Sequence, residues 1–289
     1  DGDLNNFQVI GDTIQFNVNS LRVKEQKTNL FISDLRTYFR ISQKSMEFLG
    51  LDLTCNQSHV SDTLIFTYNN QRDLSDFVNR VNIDARLKNT KLHPEDISHF
   101  ARGLDTWKET VTVTGHFRGK ISRFSFRPMA VSLGATSVTG SLEMDGLPSI
   151  SETFITLRLK PSVVYGKDLA FLFPDYVNSA LLPLGRIQLN GNFLGFTNDF
   201  VADGDLNTNL GRIISDINYK LTENNLGLTA YRGNLTLKDF KLGEFFKDTV
   251  NFQTVNLTGN INGKGFSKVT ADFVLKGEIS SIGIRGYQY

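Results

Sequence analysis

The chain has 289 residues, with 31 Lys and Arg, 30 Asp and Glu, and a net charge of +1. This balance gives no long-range attraction toward nucleic acid or an anionic surface. A single cysteine, Cys55, excludes an internal disulfide, and no run approaches the roughly 18 apolar residues of a membrane helix.

Strict alternation of apolar and polar residues dominates the chain and predicts β-strands with one apolar face. The clearest segments are, in chain order, 14–19, 64–68, 81–88, 111–114, 154–159, 213–221, 226–237, 255–258 and 271–275. Long apolar runs, typical of strands covered by helices on both faces, are absent. The chain is therefore predicted to be all-β, with one face of the sheet exposed to water.

Short helical segments are predicted between some of the strands. His93–Leu104 has Pro94 at a position that suits the first turn of a helix. Asp168–Ala180 is predicted to form two turns separated by Pro174, and Asp239 is predicted to cap a third short segment.

A motif of two glycines around one large apolar residue occurs three times. The copies are Val113–Gly119, Leu189–Gly195 and Leu257–Gly263, and their first glycines are 76 and 68 residues apart. This spacing predicts an elongated repeat architecture with a unit of about seventy residues. We predict one continuous repeating segment over residues 1–289, with units near 81–165, 166–237 and 238–289.

Counting by two along each copy places both glycines and the central residue on one strand face. Glycine inside a strand marks a bend or a close approach, so we predict strand-bending roles for Gly115, Gly119, Gly191, Gly195, Gly259 and Gly263. The apolar face predicted to bind a ligand contains Phe16, Val18, Ile83, Leu87, Val113, Phe117, Leu189, Phe193, Leu257 and Ile261. The pattern alone fits both a closed β-sandwich core and an open groove for acyl chains.

Catalytic residues, metal ligands and cofactors are not predicted. The four histidines lie in separate segments, the carboxylates are scattered, and no nucleotide-binding or nucleophile motif joins a strand to a helix. Asp203-Gly204-Asp205 lacks the remaining ligands of a calcium loop and is interpreted as a hairpin turn. We therefore predict that the chain is not an enzyme.

Seven short segments share a joint order with a known family. They are Leu53–Ser58, Tyr68–Phe77, Asp96–Phe100, Gly191–Phe200, Leu206–Gly211, Tyr231–Gly233 and Gly286–Tyr289. In this order the chain resembles the AsmA-like superfamily, specifically the TamB-like (translocation and assembly module) proteins of Bacteroidota. The third glycine motif departs from the pattern, because Ile261 replaces Phe and Gly265 follows early.

The resemblance implies an elongated antiparallel β-groove, or β-taco, with a hydrophobic interior and a few short helices. It implies a non-enzymatic, bridge-type lipid-transfer protein in the periplasm of a Gram-negative bacterium. Such a protein is anchored in the inner membrane and carries phospholipid to the outer membrane, which it helps to build.

The implied partners are phospholipid and a BamA-like outer-membrane barrel protein, either TamA or a lipoprotein relative. We expect the chain to be an internal piece of a longer polypeptide, with its anchor elsewhere. The alternative function is a structural scaffold or chaperone-like platform for outer-membrane protein assembly.

Overall fold

The computed structural model describes residues 1–25, 30–98, 109–172, 175–222, 225–265 and 272–289. Within these ranges the chain forms eighteen β-strands, four short α-helices and four 3-10 helices. The strand pairings with an assigned register are all antiparallel. The predicted all-β class, with antiparallel strands and a few short helices, is confirmed, and the sheet is open.

The chain divides into two compact units, and the first comprises residues 1–134 and 139–148. Its strands are β1 (Gly2–Ile10), β2 (Thr13–Leu21), β3 (Val23–Lys24), β4 (Phe31–Ile41), β5 (Ser45–Cys55), β6 (Ser58–Thr67), β7 (Asn82–Leu92), β8 (Val111–Lys120) and β9 (Arg123–Leu133). Its helices are η1 (Gln71–Asp76), α1 (Phe77–Arg80) and α2 (Pro94–Ser98). The division falls within β10 (Thr136–Asp145).

The second unit comprises residues 135–138 and 149–289. Its strands are β11 (Phe154–Tyr165), β12 (Arg186–Phe196), β13 (Asp199–Thr208), β14 (Gly211–Thr222), β15 (Asn225–Lys241), β16 (Phe252–Lys264), β17 (Asp272–Ile284) and β18 (Tyr287–Gln288). Its helices are η2 (Ile150–Glu152), η3 (Gly166–Leu172), α3 (Asp175–Leu181), η4 (Leu182–Leu184) and α4 (Leu242–Phe246). The predicted boundaries of the repeat units, near 81–165, 166–237 and 238–289, stay a prediction.

Strands pair with their neighbours in the sequence. In the first unit β1 pairs with β2, β2 and β3 both pair with β4, and each strand from β4 to β9 pairs with the next. In the second unit each strand from β11 to β18 pairs with the next. Both units are therefore meanders of consecutive antiparallel strands.

The predicted alternation is clearest in β12. There Ile187, Leu189, Gly191, Phe193 and Gly195 are buried or half-buried, while the residues between them are exposed. Each of the nine predicted strand segments lies in a strand to within one residue, and residue 271 lies outside the described residues. The parity predicted for the glycine motif is therefore correct in this copy.

The predicted helical segments meet different outcomes. Helix α2 contains Pro94, as predicted, but residues 99–104 lie outside the described residues. Helices η3 and α3 confirm the two turns predicted for 168–180, and Pro174 lies outside the described residues.

The cap predicted at Asp239 is wrong. The residue that precedes α4 is Lys241, and it makes no side-chain cap. Asp239 lies in β15 at a register shift, where its backbone adopts φ +48°. Its carboxylate accepts a hydrogen bond of 3.2 Å from Nδ2 of Asn256 on the neighbouring strand. A β-bulge thus takes this Asp away from the helix.

The hairpin turn predicted at Asp203-Gly204-Asp205 is also wrong, because the three residues lie in the middle of β13. Gly204 pairs with Gly191 of β12, whereas both carboxylates lie on the opposite, polar face. Asn192 donates to Asp203 and Arg212 donates to Asp205. Cross-strand polar partners therefore allow a turn-like sequence to continue as a strand.

A hydrogen-bonded clasp joins a helix to a hairpin turn in each unit. In the first unit, Asp96 of α2 accepts hydrogen bonds from Oγ of Ser58 (2.6 Å) and from the amide of Gln57 (3.1 Å). The Ser58 hydroxyl in turn accepts from the amide of His93 at 2.8 Å. The carboxylate thus ties α2 to the turn between β5 and β6.

The second unit repeats this clasp. Asp168 of η3 accepts from Oγ1 and from the amide of Thr136, each at 2.9 Å. The Thr136 hydroxyl accepts from the amide of Tyr165 at 3.0 Å. In both units the carboxylate lies three residues after the amide that binds the hydroxyl. Asp96 and Asp168 therefore each anchor a hairpin turn.

Each unit has one main buried apolar cluster. In the first unit it comprises Val18, Leu35 and Leu51. In the second unit it comprises Leu184, Ile187, Leu210, Leu237, Phe240 and Val255, with Leu181 and Phe245 of the short helices packed against it. The helices of the second unit thus cover the end of the sheet at which β12 begins.

Candidate functional site

One row of large apolar side chains crosses the strands of the first unit. Directly paired residues from β2 and β4 to β9 form it: Phe16, Phe39, Phe48, Leu64, Ala85, Phe117 and Phe126. We call it the phenylalanine row. Two of the residues predicted to line the groove, Phe16 and Phe117, belong to it.

Ring contacts extend across this face without interruption from β1 to α1. Phe7, Phe16, Phe39, Phe48, Phe66 and Phe77 form consecutive pairs with centroid separations of 6.0, 5.2, 5.0, 6.3 and 5.2 Å. The last ring belongs to a helix, and it packs edge-on against Phe66 at 74°. Aromatic pairs of this geometry add stability beyond the area that they bury. The first unit therefore lines its apolar face with touching rings, of which Phe7 is 66 % exposed and the other five are half-buried.

Four parallel rows form the apolar face of the second unit, and each takes one residue from each strand from β11 to β17. The leucine row is Ser162, Leu189, Leu206, Ile213, Leu237, Leu257 and Ile279. The glycine row is Leu159, Gly191, Gly204, Ser215, Leu235, Gly259 and Gly277. The Phe193 row is Leu157, Phe193, Ala202, Ile217, Gly233, Ile261 and Leu275. The tyrosine row is Ile155, Gly195, Phe200, Tyr219, Tyr231, Gly263 and Phe273.

No charged side chain occupies any position of these four rows. Leu237 is buried at 8 % exposure, Phe193 and Ile217 are half-buried, and Phe273 at the far end is 55 % exposed. Apolar surface left open to this extent is unusual in a closed core and is typical of a binding surface.

A cavity of about 270 Å³ lies on this apolar face. Its apolar side chains come from the leucine, glycine and Phe193 rows, among them Leu159, Leu189, Phe193, Leu206 and Ile217. Asn190, Asn192 and Asp203 also line the cavity. The cavity forms where the facing residues are small, because Gly191, Gly204 and Ala202 also line it. An apolar space with these walls suits a hydrocarbon ligand.

The glycine motif has the same aromatic partner in both units. Phe117 stacks on Phe124 with a centroid separation of 4.6 Å, and Phe193 packs on Phe200 at 4.7 Å. In each case the second aromatic residue pairs directly with the second glycine of the motif. Since that glycine has no side chain, the ring on the next strand has room to lean over the central Phe.

Backbone geometry also requires glycine at the second position. Gly119 and Gly195 have φ values of +123° and +136°, which L side chains rarely adopt. A Cβ atom there would lie 2.5 Å from the carbonyl oxygen of Arg123 and 2.4 Å from that of Asp199. In the third copy, a Cβ on Gly263 would instead meet Cβ of Phe273 at 2.5 Å. The strand-bending role of the six glycines stays a prediction that this crowding supports.

The opposite face of the second unit is polar and hydrogen-bonded across strands. The amide of Asn234 donates to Asp216 at 2.7 Å, and Nε of Arg212 donates to Asp205 at 2.8 Å. These hydrogen bonds favour the charged carboxylates, and they hold the pKa values of Asp216 and Asp205 below their ordinary values. The opposite face thus carries charged side chains that the four rows lack, together with exposed apolar residues such as Leu194, Val201 and Val274.

All ten residues predicted for the groove lie on these apolar faces. The first unit holds Phe16, Val18, Ile83, Leu87, Val113 and Phe117, and the second holds Leu189, Phe193, Leu257 and Ile261. Val18 and Ile83 are buried at 6 % and 9 % exposure, whereas Phe193 and Ile261 are half-buried. Their role in binding stays a prediction.

Sequence reasoning missed several aromatic residues of the same faces. They are Phe39, Phe48, Phe66, Phe124, Phe126, Phe200, Tyr219, Tyr231 and Phe273. In β5 a register shift interrupts the alternation, so Phe48 lies out of phase with Leu51 and Leu53. Phe39 of β4 keeps the phase of Leu35 and Thr37. Phe124 and Phe200 carried a usable signal, because each lies seven residues after the central Phe of its motif.

None of the described helices is both long enough and apolar enough to cross a bilayer. Comparison of the chain with protein-family models, with curated proteins and with solved structures finds no match. The functional argument therefore depends on the geometry of the apolar faces.

Proposed function

We propose that this chain is a non-enzymatic segment of a lipid-transfer protein and that it holds phospholipid acyl chains against its apolar face. The observation that carries this proposal is the charge-free, half-exposed face of the second unit. Phe193, Ile217 and Ile261 stay partly open to water, and contiguous apolar surface of this kind is typical of a binding surface. Acyl chains that cover them remove apolar area from water at about 25 cal/mol per Å².

The wider setting is part of the same proposal. The full-length protein would be anchored in the inner membrane, and this segment would lie in the periplasm of a Gram-negative bacterium. Phospholipid would pass between the inner and outer membranes, with a BamA-like barrel protein as the partner at the outer membrane. The family resemblance supports this setting, and the apolar face supports its lipid-carrying step.

Two neighbouring residues of β12 provide a matched test. Phe193 lies on the apolar face, and Leu194 lies on the polar face at 45 % exposure. We expect native mass spectrometry of the purified wild-type segment to detect bound phospholipid. Phe193→Glu should abolish it, because a carboxylate would be placed against the acyl chains, whereas Leu194→Glu should retain it.

Two results would contradict the proposal. One is a lipid-free wild-type segment after purification and after incubation with phospholipid vesicles. The other is equal lipid binding by both Glu variants. Circular dichroism of both variants controls for loss of fold.

The alternative is a structural scaffold or chaperone-like platform for outer-membrane protein assembly. The observation that favours it is the phenylalanine row, in which the first unit packs its own side chains together. A segment with a dry interior that never carries lipid, yet binds unfolded outer-membrane strands, would support this second function.

A further inference from the structure

The polar face of the second unit carries three cations around one small residue. In direct register across five strands lie Asp199, Lys220, Ala230, Lys264 and Asp272. The charges therefore follow the order negative, positive, none, positive, negative. Ala230 leaves the space between the two lysines free of a long side chain.

Arg232 supplies the third cation. It lies two residues from Ala230 on β15, on the same face, and its direct neighbours are Asn218 of β14 and Asn262 of β16. Within the described part of the chain, the side chains of Arg232, Asn218 and Asn262 have no hydrogen bond or ion pair. A guanidinium between two side-chain amides that are free to donate is suited to an oxyanion.

A cavity of about 320 Å³ lies at this position, and Asn218, Lys220, Ala230, Tyr231, Arg232 and Asn262 line it. This lining contains two cations and no carboxylate. A neighbouring cavity of about 430 Å³ shares Arg232 but is also lined by Asp203 and Asp216. The low pKa of Asp216 means that its carboxylate is charged near neutral pH. An anion is therefore favoured in the smaller cavity.

Each lysine forms an ion pair with the Asp on the side away from Ala230. Nζ of Lys220 lies 3.2 Å from Asp199, and Nζ of Lys264 lies 3.7 Å from Asp272. Both pairs are largely exposed, and exposed ion pairs of this kind hold their partners weakly. Either lysine can turn toward a ligand over Ala230 at little cost.

We propose that Arg232, Lys220 and Lys264, with the amides of Asn218 and Asn262, form a binding site for a phosphate group. Arg232 provides paired N–H donors, the amides provide one donor group each, and the lysines supply charge. The phosphate belongs either to a phospholipid headgroup or to a free phosphoanion. The site is separate from the proposed acyl-chain face, since it lies on the opposite side of the sheet, so either can fail without the other.

The test uses the whole chain and two probes. Inorganic phosphate is titrated by isothermal calorimetry, and co-sedimentation is measured with phosphatidylcholine vesicles that contain or lack phosphatidylglycerol. We expect Arg232→Gln to weaken phosphate binding about tenfold or more, since it removes the charged donor group. Lys220→Gln and Lys264→Gln should each have a smaller effect, and Asp199→Asn should strengthen binding because it frees Lys220.

Arg158→Gln is the matched control. Arg158 is exposed on the same face, but its partner in register is Asn192, whose amide already binds Asp203. This variant should bind phosphate as the wild type does.

The outcomes distinguish the sources of the phosphate. Arg232-dependent binding of phosphatidylglycerol vesicles identifies a headgroup site, and Arg232-dependent binding of inorganic phosphate alone identifies a free phosphoanion site. Absence of binding to both probes overturns the proposal. Equal losses in Arg232→Gln and Arg158→Gln also overturn it, because net charge alone would then explain the binding. Should Arg232→Gln fail to fold, Asp199→Asn replaces it, and the absence of any gain in phosphate binding by that variant overturns the proposal as well.

Discussion

The two units present apolar faces of the same kind but fill them differently. In the first unit, ring follows ring across the phenylalanine row, and Phe77 of α1 packs against Phe66. In the second unit, ring contacts run from Phe193 through Phe200 to Tyr219, and a cavity of about 270 Å³ lies beside Phe193. The same glycine motif occurs in both, so the motif alone does not decide whether a face is filled.

The two units differ in the size of the residues that pair with the central Phe of the motif. Phe117 of the first unit pairs with Ala85 and Phe126, and Phe126 is buried at 7 % exposure. Phe193 of the second unit pairs with Leu157 and Ala202, and both of these residues line the cavity. Side chains that fill an apolar face contribute to stability, whereas an apolar face with unfilled space is available to a ligand. The predictions that follow test this contrast from the largest expected effect to the smallest.

Substitution of the second glycine of the motif should destabilise both units equally. Gly119→Ala and Gly195→Ala each force an unfavourable φ and a contact of about 2.5 Å with a backbone carbonyl. We expect each to lower the free energy of unfolding by about 3 kcal/mol or more, as judged from the cost of backbone strain with steric overlap. Urea unfolding followed by circular dichroism measures the loss. A loss in only one variant would show that the motif serves different purposes in the two units.

Gly50 provides the control for the Gly119→Ala and Gly195→Ala variants, because its Cβ position is uncrowded. Gly50 has φ +61°, but no atom lies within 4 Å of the position that a Cβ would take. Gly50→Ala should therefore cost only about 1 kcal/mol, which is the conformational term alone.

The clasps should show the next largest effect. Asp96→Ala leaves the hydroxyl of Ser58 and the amide of Gln57 without their acceptor, and we expect a loss of about 2 to 3 kcal/mol. Asp168→Ala should cost about 1 to 2 kcal/mol, since Asp168 is half-buried whereas Asp96 is buried at 7 % exposure. Hydrogen exchange of the Gln57 and Thr136 amides checks each clasp directly. Unchanged exchange in both variants would refute the anchoring role.

A pair of alanines tests the filled and unfilled faces themselves. Ala85 is buried at 5 % exposure between Leu64 and Phe117, so Ala85→Leu should overpack the first unit by about 1 to 3 kcal/mol. Ala202 lines the cavity of the second unit, so Ala202→Leu should change stability by less than about 0.5 kcal/mol. It should also reduce the amount of bound lipid, because the new side chain occupies the cavity. Equal destabilisation by both variants would remove the contrast between the units.

The smallest expected effect is the loss of the hydrogen bonds of Asp73 at acidic pH. Burial raises the pKa of Asp73 in η1, but hydrogen bonds from the Asn69 and Asn70 amides and from Arg80 outweigh it and leave this pKa below its ordinary value. The carboxylate therefore stabilises η1 at a pH above its unfolded pKa of about 4, and the stabilisation is lost as the pH falls through the lower folded pKa. The protection factors of these amides, which correct for the intrinsic pH dependence of exchange, should fall below about pH 4.

Asp73→Asn is the companion variant for this measurement. It should remove the acid dependence at Asn69 and Asn70 while leaving the clasp amide of Gln57 unchanged. Acid-dependent exchange that persists in Asp73→Asn would assign the effect to another group.

Much of the fold could be predicted from the sequence, because period-two alternation reports directly which strand face is buried. Prediction failed where a β-bulge shifts the alternation of a strand. A register shift in β5 hides Phe48, and a shift in β15 turns Asp239 away from α4. The Asp203-Gly204-Asp205 sequence is typical of a turn, yet it continues as a strand because Asn192 and Arg212 of the adjacent strands bind its two carboxylates.

The candidate site was predictable only in part. Parity identified Phe193 and Ile261 as residues of the apolar face, but it could not distinguish Ala85 from Ala202. Whether a face is filled depends on which residues meet in register across strands. Neither that register nor the alignment of Lys220, Ala230 and Lys264 can be obtained by counting along one strand.

The pairing of each strand with its neighbours in sequence has a consequence for biosynthesis. No strand of either meander has to wait for a distant partner, because the edge it needs has already been made when it leaves the ribosome or an export channel. Loop-closure entropy per pairing stays small for such local contacts, which favours fast folding. Each meander can therefore assemble in the direction of its emergence, with only its newest edge open to aggregation at any moment.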